Sequence, residues 1–571
     1  MRTLRIALSQ INLTVGDLNG NTNKIIDNIE KARGLKTDLI AFPELAIPGY
    51  PPEDLIFKHQ FLKDNLSKMN QIVKSSEGIT VIVGFVDYVN SNVYNAAAIA
   101  HNGNLVDIYH KIHLPNYGVF DELRYFKPGN TIPVYVVNGT AIGINICEDI
   151  WYESGPSSIQ SIAGAKLIVN INGSPFHIGK RRVRRNLLKS CATINKVSVA
   201  YVNMVGGQDE LVFDGDSMII NKTGEIHNQT NQFQEELLVS DIELPTFKKD
   251  RVNTKTNNND SVKYINVSKY SPNSPIPLTP KSTPYHHDDL GEIYAALVIG
   301  TRDYVRKCGF GKVLIAVSGG IDSSLVATIA VDALGNDNVT GVTMPSRFSS
   351  DEGIHDVNTL SKNLEINLKT INIENIFSTF LESLKPQLSQ SDWGVTEENL
   401  QSRIRGNIMM ALSNKFGGLV LTTGNKSEMA TGYATIYGDM AGSFAVIKDV
   451  SKTLVYKLSE HRNKSEDTFI IPRNVILKAP SAELSPNQKD SDTLPPYPIL
   501  DSILEAYVEE DKSFQQIIDM GFNEFTVQQT INLVDQNEYK RRQSPPGIKI
   551  TQRNFGRDRR MPITNRYKPF R

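Results

Sequence analysis

From residue 4 to about 244, short runs of β-branched and apolar residues alternate with stretches whose apolar positions recur at helical spacing. Strands are predicted at 4–8, 39–42, 79–86, 141–147, 166–171 and 197–202. Between the first two, Ile25, Ile26, Ile29 and Ala32 repeat with polar residues between them, which predicts an amphipathic helix. The pattern is that of an α/β domain with at least six strands.

The alternation breaks at 246–285, where Asn257, Asn258 and Asn259 precede prolines at 272, 275, 277, 280 and 284. Proline at that density opposes both a ladder and a helix, so an irregular linker is expected. The pattern restarts with a helix at 288–307 and a strand at 312–317, and α/β alternation continues to about 540. Residues 540–571 carry 11 Lys and Arg against one acid, Asp558. The organisation read from the pattern is a domain at 1–245, a linker at 246–285, a second domain at 286–540 and a basic tail at 541–571. No internal repeat relates the halves.

Composition narrows the class. With 40% hydrophobic and 22% charged residues among 571, the chain can bury real cores, which excludes whole-chain disorder. Lys and Arg number 61 against 62 Asp and Glu, a net charge of −1 with no global pull toward nucleic acid or anionic membrane. No apolar run approaches the ~18 residues of a membrane span, and the apolar stretch after Arg5 is too short for a signal-peptide core. Cys147, Cys191 and Cys308 are odd in number and far apart, unlike a disulfide framework or metal cluster. A cytoplasmic protein is expected.

The segment Ala316-Val317-Ser318-Gly319-Gly320-Ile321-Asp322-Ser323-Ser324 stands between an apolar strand and a helical run. Adjacent glycines let the backbone turn tightly and present N–H groups to an anion, and the helix dipole adds to that. Ser318 and Ser323 can donate hydroxyl bonds, while Asp322 can hold a divalent cation that neutralises pyrophosphate. The Gly-x-x-x-x-Gly-Lys spacing of a Walker loop is absent. A second strand-then-turn follows at 419–428, ending Thr422-Thr423-Gly424-Asn425-Lys426-Ser427-Glu428, with Gly432-Tyr433 and Tyr437-Gly438-Asp439 beyond it. Both segments fall at strand ends, where open parallel sheets place their sites. Glu428 is a candidate second metal ligand opposite Asp322.

The Ser-Gly-Gly-Ile-Asp-Ser loop resembles that of the ATP pyrophosphatases. Together with Gly-Asn-Lys-Ser-Glu and Tyr-Gly-Asp, it resembles the NAD synthetases, which adenylate deamido-NAD with ATP and let ammonia displace AMP. The resemblance implies ATP contacts from Ser318, Gly319, Gly320, Asp322, Ser323 and Thr423. It implies deamido-NAD contacts from Asn399, Glu428 and Lys540, a magnesium ion on Asp322 and Glu428, and Lys452 facing phosphates. Its fold implication is a doubly wound parallel sheet of the adenine nucleotide alpha hydrolase type.

In the first domain Cys147 ends an apolar strand where the sequence turns polar, Glu148-Asp149. Alone, a cysteine in such a strand is more often an inert core thiol. Glu44, after Phe42-Pro43, and Lys111, in His110-Lys111-Ile112-His113, lie at the edges of two other β-rich runs. Glu, Lys and Cys in that order resemble the nitrilase-type amidohydrolases, whose fold is an α-β-β-α sandwich. The chemistry needs those types: Glu44 as general base, Cys147 as nucleophile on a glutamine side-chain amide, and Lys111 for the oxyanion. By resemblance Glu122 supports the lysine, and Tyr117, Ser174 and Lys180 hold glutamine. The arginines of 181–185 read as a solvated helix face or an interface, Cys191 and Cys308 as core, and Asp288 or Asp289 as a helix cap rather than a metal ligand.

The fusion of the two domains points to a glutamine-dependent NAD synthetase that makes NAD, AMP, pyrophosphate and glutamate. An enclosed ammonia passage and a homo-oligomer go with that reading. The alternatives are another glutamine amidotransferase of the ATP-pyrophosphatase class, which would share the loop, and a nucleic-acid-binding protein that uses the basic tail.

Overall fold

The computed structural model describes residues 2–247, 262–269, 278, 285, 287–387, 393–464, 469–486 and 488–570. The chain forms two compact units, Met1–Gln208 with Val212–His286, and Asp209–Leu211 with His287–Arg571.

The first unit is built on two sheets. Six strands lie in the order Glu236–Leu244, Arg2–Gln10, Leu39–Ala41, Thr80–Val89, Asn92–His101, Asn104–His110. Seven lie in the order Ile226–Gln229, Met218–Ile220, Ser198–Asn203, Leu167–Asn172, Thr140–Ile146, Val134–Val137, Tyr264–Asn266. The two-residue period of a strand decides what goes where. Leu4, Ile6 and Leu8 meet Ile142, Ile144, Leu167 and Val169 in one core between the sheets. Ala7 and Ile40 point the other way, onto Ile25, Ile29 and Ala32 of helix Leu18–Gly34 and Met69 and Ile72 of helix His59–Lys74. Ile168 and Val199 likewise face Leu188 and Ala192 of helix Lys180–Asn195. The result is the expected α-β-β-α sandwich, and burial of both sheet faces explains why its strands read as continuous apolar runs.

The predicted strands all form, but others, among them the two at one edge of the six-stranded sheet, were not foreseen. Asn92–His101 and Asn104–His110 are hairpin strands. Asn90 and Ser91 (φ 50° and 65°), then Asn102 and Gly103 (φ 49° and 74°), make the left-handed two-residue turns that hairpins favour. The run Asn95-Ala96-Ala97-Ala98 hid the first, because alanine has little β preference. Within 246–285, Tyr264–Asn266 pairs in parallel with Val134–Val137, so an ordered strand interrupts the expected irregular segment. It precedes the prolines, which lie outside the described residues, as do Asn257–Asn259.

The second unit carries a five-stranded parallel sheet in the order Asn367–Thr370, Val339–Thr343, Val313–Ala316, Leu419–Thr422, Phe444–Ala445. The chain runs outward from Val313–Ala316 on one side, then returns to lay Leu419–Thr422 on the other. That reversal makes a crevice at the carboxyl ends of two neighbouring strands. Helix Asp289–Lys307 begins on Asp288, whose carboxylate accepts from the Gly291 N–H at 2.7 Å, so the acidic pair is a cap. Part of the basic tail is paired locally with acids. Arg541 and Arg542 share Glu538, Lys549 pairs with Asp558 and Arg559 with Asp535, while Ile548, Ile550 and Phe555 are buried. Two expectations are corrected here. Cys308 is exposed, because it caps the end of its helix, whereas Cys191 is buried as expected. Arg184 is not on a solvated face: it is buried against Asp214, with two bonds of 3.0 Å, and Arg181 and Arg185 reach Asp216.

Candidate active sites

In the first unit, Glu44 follows the strand Leu39–Ala41, Lys111 follows Asn104–His110, and Cys147 follows Thr140–Ile146. The Lys111 Nζ donates to Glu44 Oε1 and to Glu122 Oε1, both at 2.7 Å, and all three groups are buried. Asn95 Nδ2 donates to Glu44 Oε1 at 2.7 Å and to Glu122 Oε2 at 3.4 Å, and the Gly173 N–H donates to Glu44 Oε2 at 2.9 Å. Tyr50 adds a 3.5 Å bond to Glu122. Cys147 has φ 43°, a left-handed backbone at a non-glycine residue, where strain commonly marks a functional position.

The electrostatics give each group a state. Burial alone would lower the Lys111 ammonium, but Glu122 and Glu44 outweigh it and hold it well above its ordinary value. Burial pushes the Glu122 carboxyl up, with the Lys111 charge opposing and Glu44 adding to the rise. Burial also raises the Cys147 thiol, Glu44 raises it further and Lys111 opposes. The resting thiol is therefore neutral and needs a base to become a nucleophile.

Tyr117 is 56% exposed and its hydroxyl donates to both oxygens of Glu148, at 3.2 and 3.0 Å, next to Cys147. Ser174 is buried, its N–H donating to Asn203 Oδ1 at 2.9 Å. The Lys180 ammonium lies 4.5 Å from the centre of the Trp151 ring, and burial, aided by the Arg184 charge, lowers it from its ordinary value. Tyr50, Asn95, Asp149 and Gly173 were missed from sequence; only Asp149, two places after the cysteine, stood in a segment already singled out.

In the second unit, Gly319 has φ +82°, and a Cβ there would stand 2.6 Å from the Gly353 carbonyl oxygen, so only glycine fits. The turn is closed by bonds to the Gly320 carbonyl from Ser323 Oγ at 3.1 Å and Ser324 Oγ at 2.8 Å, and by Gly320 N–H to Ser318 Oγ at 3.3 Å. On the neighbouring strand Thr423 leads into Asn425, which caps helix Lys426–Thr431 with Glu428 reciprocating. The crevice joins the two segments: Asn425 Nδ2 donates to Asp322 Oδ1 at 2.9 Å, and the Lys452 Nζ bonds Asp322 Oδ2 and reaches Glu428 Oε1 at 3.4 Å. Burial opposes the Lys452 charge, yet Asp322 and Glu428 hold the ammonium above its ordinary value. Burial pushes the Glu428 carboxyl up against the pull of Lys452. Asn399 accepts from Thr435 Oγ1 at 2.8 Å, and the Lys540 Nζ donates to the carbonyls of Gly432 at 2.7 Å and Ala434 at 3.0 Å, so both grip the turn after the Gly-Asn-Lys-Ser-Glu helix. Among the described residues no cluster of three or more His, Cys, Asp or Glu is placed to hold a metal. Two carboxylates around one ammonium nevertheless suit magnesium, which takes one or two protein carboxylates and completes its shell with phosphates and water. Beside the loop a pocket is lined by Ser318, Thr343, Met344, Ser350, Gly353 and Arg405.

The carbon-nitrogen hydrolase family profile matches residues 5–251 and the NAD synthase profile residues 293–544. A glutamine-dependent NAD(+) synthetase from Thermotoga maritima is 47% identical, with 100% of each chain covered. The chain belongs to the glutamine-dependent NAD(+) synthetases. The Aquifex aeolicus member is 46% identical over 99% of this chain and 100% of its own. The solved synthetase of Acinetobacter baumannii, in complex with adenosine diphosphate, is 38% identical with a TM-score of 0.75 and 99% of each chain covered. The nitrilase-like domain and the synthetase domain occupy one chain, and no helix among the described residues is long and apolar enough to cross a membrane.

Proposed function

We propose that the chain hydrolyses glutamine at Cys147 and uses the ammonia to amidate deamido-NAD activated by ATP. The observation that carries the first half is the buried lysine held between two carboxylates, with a strained, neutral cysteine beside them. Glu44 takes the thiol proton, and the Cys147 sulfur attacks the side-chain carbonyl of glutamine. Lys111, kept charged by Glu122, stabilises the oxyanion. The proton on Glu44 goes to the departing nitrogen, ammonia leaves, and water admitted on the same base hydrolyses the thioester to glutamate. Tyr117, Ser174 and Lys180 are assigned to holding the amino-acid end of glutamine.

In the second unit the nicotinate carboxylate attacks the α-phosphate of ATP and pyrophosphate departs. Ammonia then attacks the acyl-adenylate and AMP leaves. The N–H groups of the Gly319-Gly320 turn, with Ser318, Ser323 and Thr423, are assigned to the phosphates, and the pocket that includes Arg405 to the adenosine. Asp322 and Glu428 would hold magnesium, which when bound neutralises the pyrophosphate as it leaves. Lys452 holds the two carboxylates at one distance from the loop and adds its own positive charge. Asn399, Glu428 and Lys540 are assigned to deamido-NAD. The parts of the reading that go together are a cytoplasmic site of action and a homo-oligomeric assembly.

The test compares NAD formation by wild type and Cys147→Ala from deamido-NAD and Mg-ATP, with glutamine or ammonium as nitrogen source. The variant should lose glutamine use and keep ammonium use. Absence of NAD from wild type with either source would move the ATP loop to another acceptor, that of a different amidotransferase.

A further inference from the structure

Asp149 is wholly buried and has no part in the steps above. Its Oδ1 accepts from the N–H groups of Ile112 at 3.1 Å and His113 at 2.9 Å, the two residues after Lys111. Its Oδ2 accepts from the Ile146 N–H at 3.1 Å, the residue before Cys147, and from the Tyr109 hydroxyl at 2.8 Å, two residues before Lys111. One carboxylate thus takes four donors, three of them backbone. It bridges the segment that carries the cation and the segment that carries the nucleophile, which belong to different sheets.

We infer that Asp149 is the positioning residue that sets the Cys147 sulfur against the Lys111 ammonium, without touching substrate. The inference rests on the glutaminase reading above. A carboxylate is suited to this task because all its lone pairs accept. An asparagine in its place offers one accepting oxygen and two hydrogens, so either the Lys111 side or the Cys147 side loses its anchor. Attack geometry tolerates little movement: a misplacement of about 1 Å costs about 100-fold in rate. Lys111 is independently tied to Glu44 and Glu122, so the Cys147 strand end is the side set free. The strained φ of Cys147 is then kept by the Ile146–Asp149 bond on one side and relaxes when that bond is lost.

The experiment measures kcat and KM for glutamine, and the ammonium-driven rate, in wild type, Asp149→Asn, Tyr109→Phe and Cys147→Ala. Asp149→Asn should lower kcat for glutamine about 100-fold with KM within about threefold. Tyr109→Phe, which removes one donor and leaves the three backbone anchors, should lower kcat by a smaller but measurable factor, about three- to tenfold, with the same unchanged KM. Both should keep the wild-type ammonium rate. The pH profile of Cys147 alkylation by iodoacetamide should be displaced in Asp149→Asn, a change that simple loss of folded protein would not produce. The inference is overturned if Asp149→Asn keeps its glutamine kcat, if KM carries the loss, or if the ammonium rate falls in step. Should Asp149→Asn fail to fold, Tyr109→Phe decides: an unchanged kcat overturns the inference and a lowered kcat at constant KM supports it. Wild type that cannot use glutamine would instead sink the glutaminase reading itself.

Discussion

Lys111 donates to Glu122 across 2.7 Å with neither group open to solvent. Burial is the largest influence on that ammonium and acts to lower it; the two carboxylates reverse the sign. Glu122→Gln removes one of them, so the ammonium should lose its proton at lower pH than in wild type. The alkaline limb of kcat/KM for glutamine is then expected to move to lower pH, while the ammonium-driven profile stays put. An alkaline limb that does not move would show that Glu44 alone holds the charge.

Gly319→Ala places a Cβ 2.6 Å from a backbone carbonyl at φ +82°. The left-handed backbone alone costs about 1–2 kcal/mol in an L-residue, and the carbonyl belongs to main chain that cannot swing away. Synthesis should fall at least about 100-fold with glutamine and ammonium alike, because the loop that loses its shape is aimed at the phosphates. Glutamine hydrolysis without synthesis should survive, and a variant defective with only one nitrogen source would contradict this division.

Much of this was legible before any coordinates. Adjacent glycines between a strand and a helix announce an anion loop, whereas the capping box of Asn425 and Glu428 emerges only in the structure. Glu44, Lys111 and Cys147 were visible because each is a reactive type placed where an apolar run ends. What joins them was not. Asn95 was hidden on an alanine-rich strand that reads poorly as one, and Gly173 contributes only an N–H, which no side-chain pattern advertises. Lys452 meets Asp322 only because the sheet reverses its strand order. Arg181, Arg184 and Arg185 misled for a related reason: the helix face looks solvated until Asp214, which ends the strand Leu211–Asp214, and Asp216 just after it turn out to pair with them, while Arg182 is exposed as read.

Arg184→Ala should therefore behave as a core mutation. It strands Asp214 in a fully buried place, and breaking such a pair costs about 3–5 kcal/mol. Denaturant unfolding of the variant should show that loss, and Arg184→Met with Asp214→Leu should recover most of it. A loss below about 1 kcal/mol in the single variant, the range of exposed pairs, would place the pair in water.

Lys452→Met leaves Asp322 and Glu428 facing each other with no cation between them. NAD formation from either nitrogen source should drop by roughly 100-fold or more, as for loss of a charge aimed at a developing anion. The magnesium concentration that gives half the maximal rate should fall in the variant, since the carboxylates no longer share their charge with the ammonium. Full activity at ordinary magnesium would remove Lys452 from the transfer step.

Between Ser323 and Thr423 the chain lays down the strands Val339–Thr343 and Asn367–Thr370 and the helices Asp351–Asn363, Glu374–Leu384 and Val395–Phe416, all before returning to the seam where both loops meet. Met344, Ser350 and Arg405 of the pocket come from that excursion, whereas Asp322, Glu428 and Lys452 do not. The arrangement separates two kinds of inheritance. A lineage can lengthen, shorten or reshape the excursion to greet a new molecule, and the seam that handles phosphorus keeps its spacing throughout.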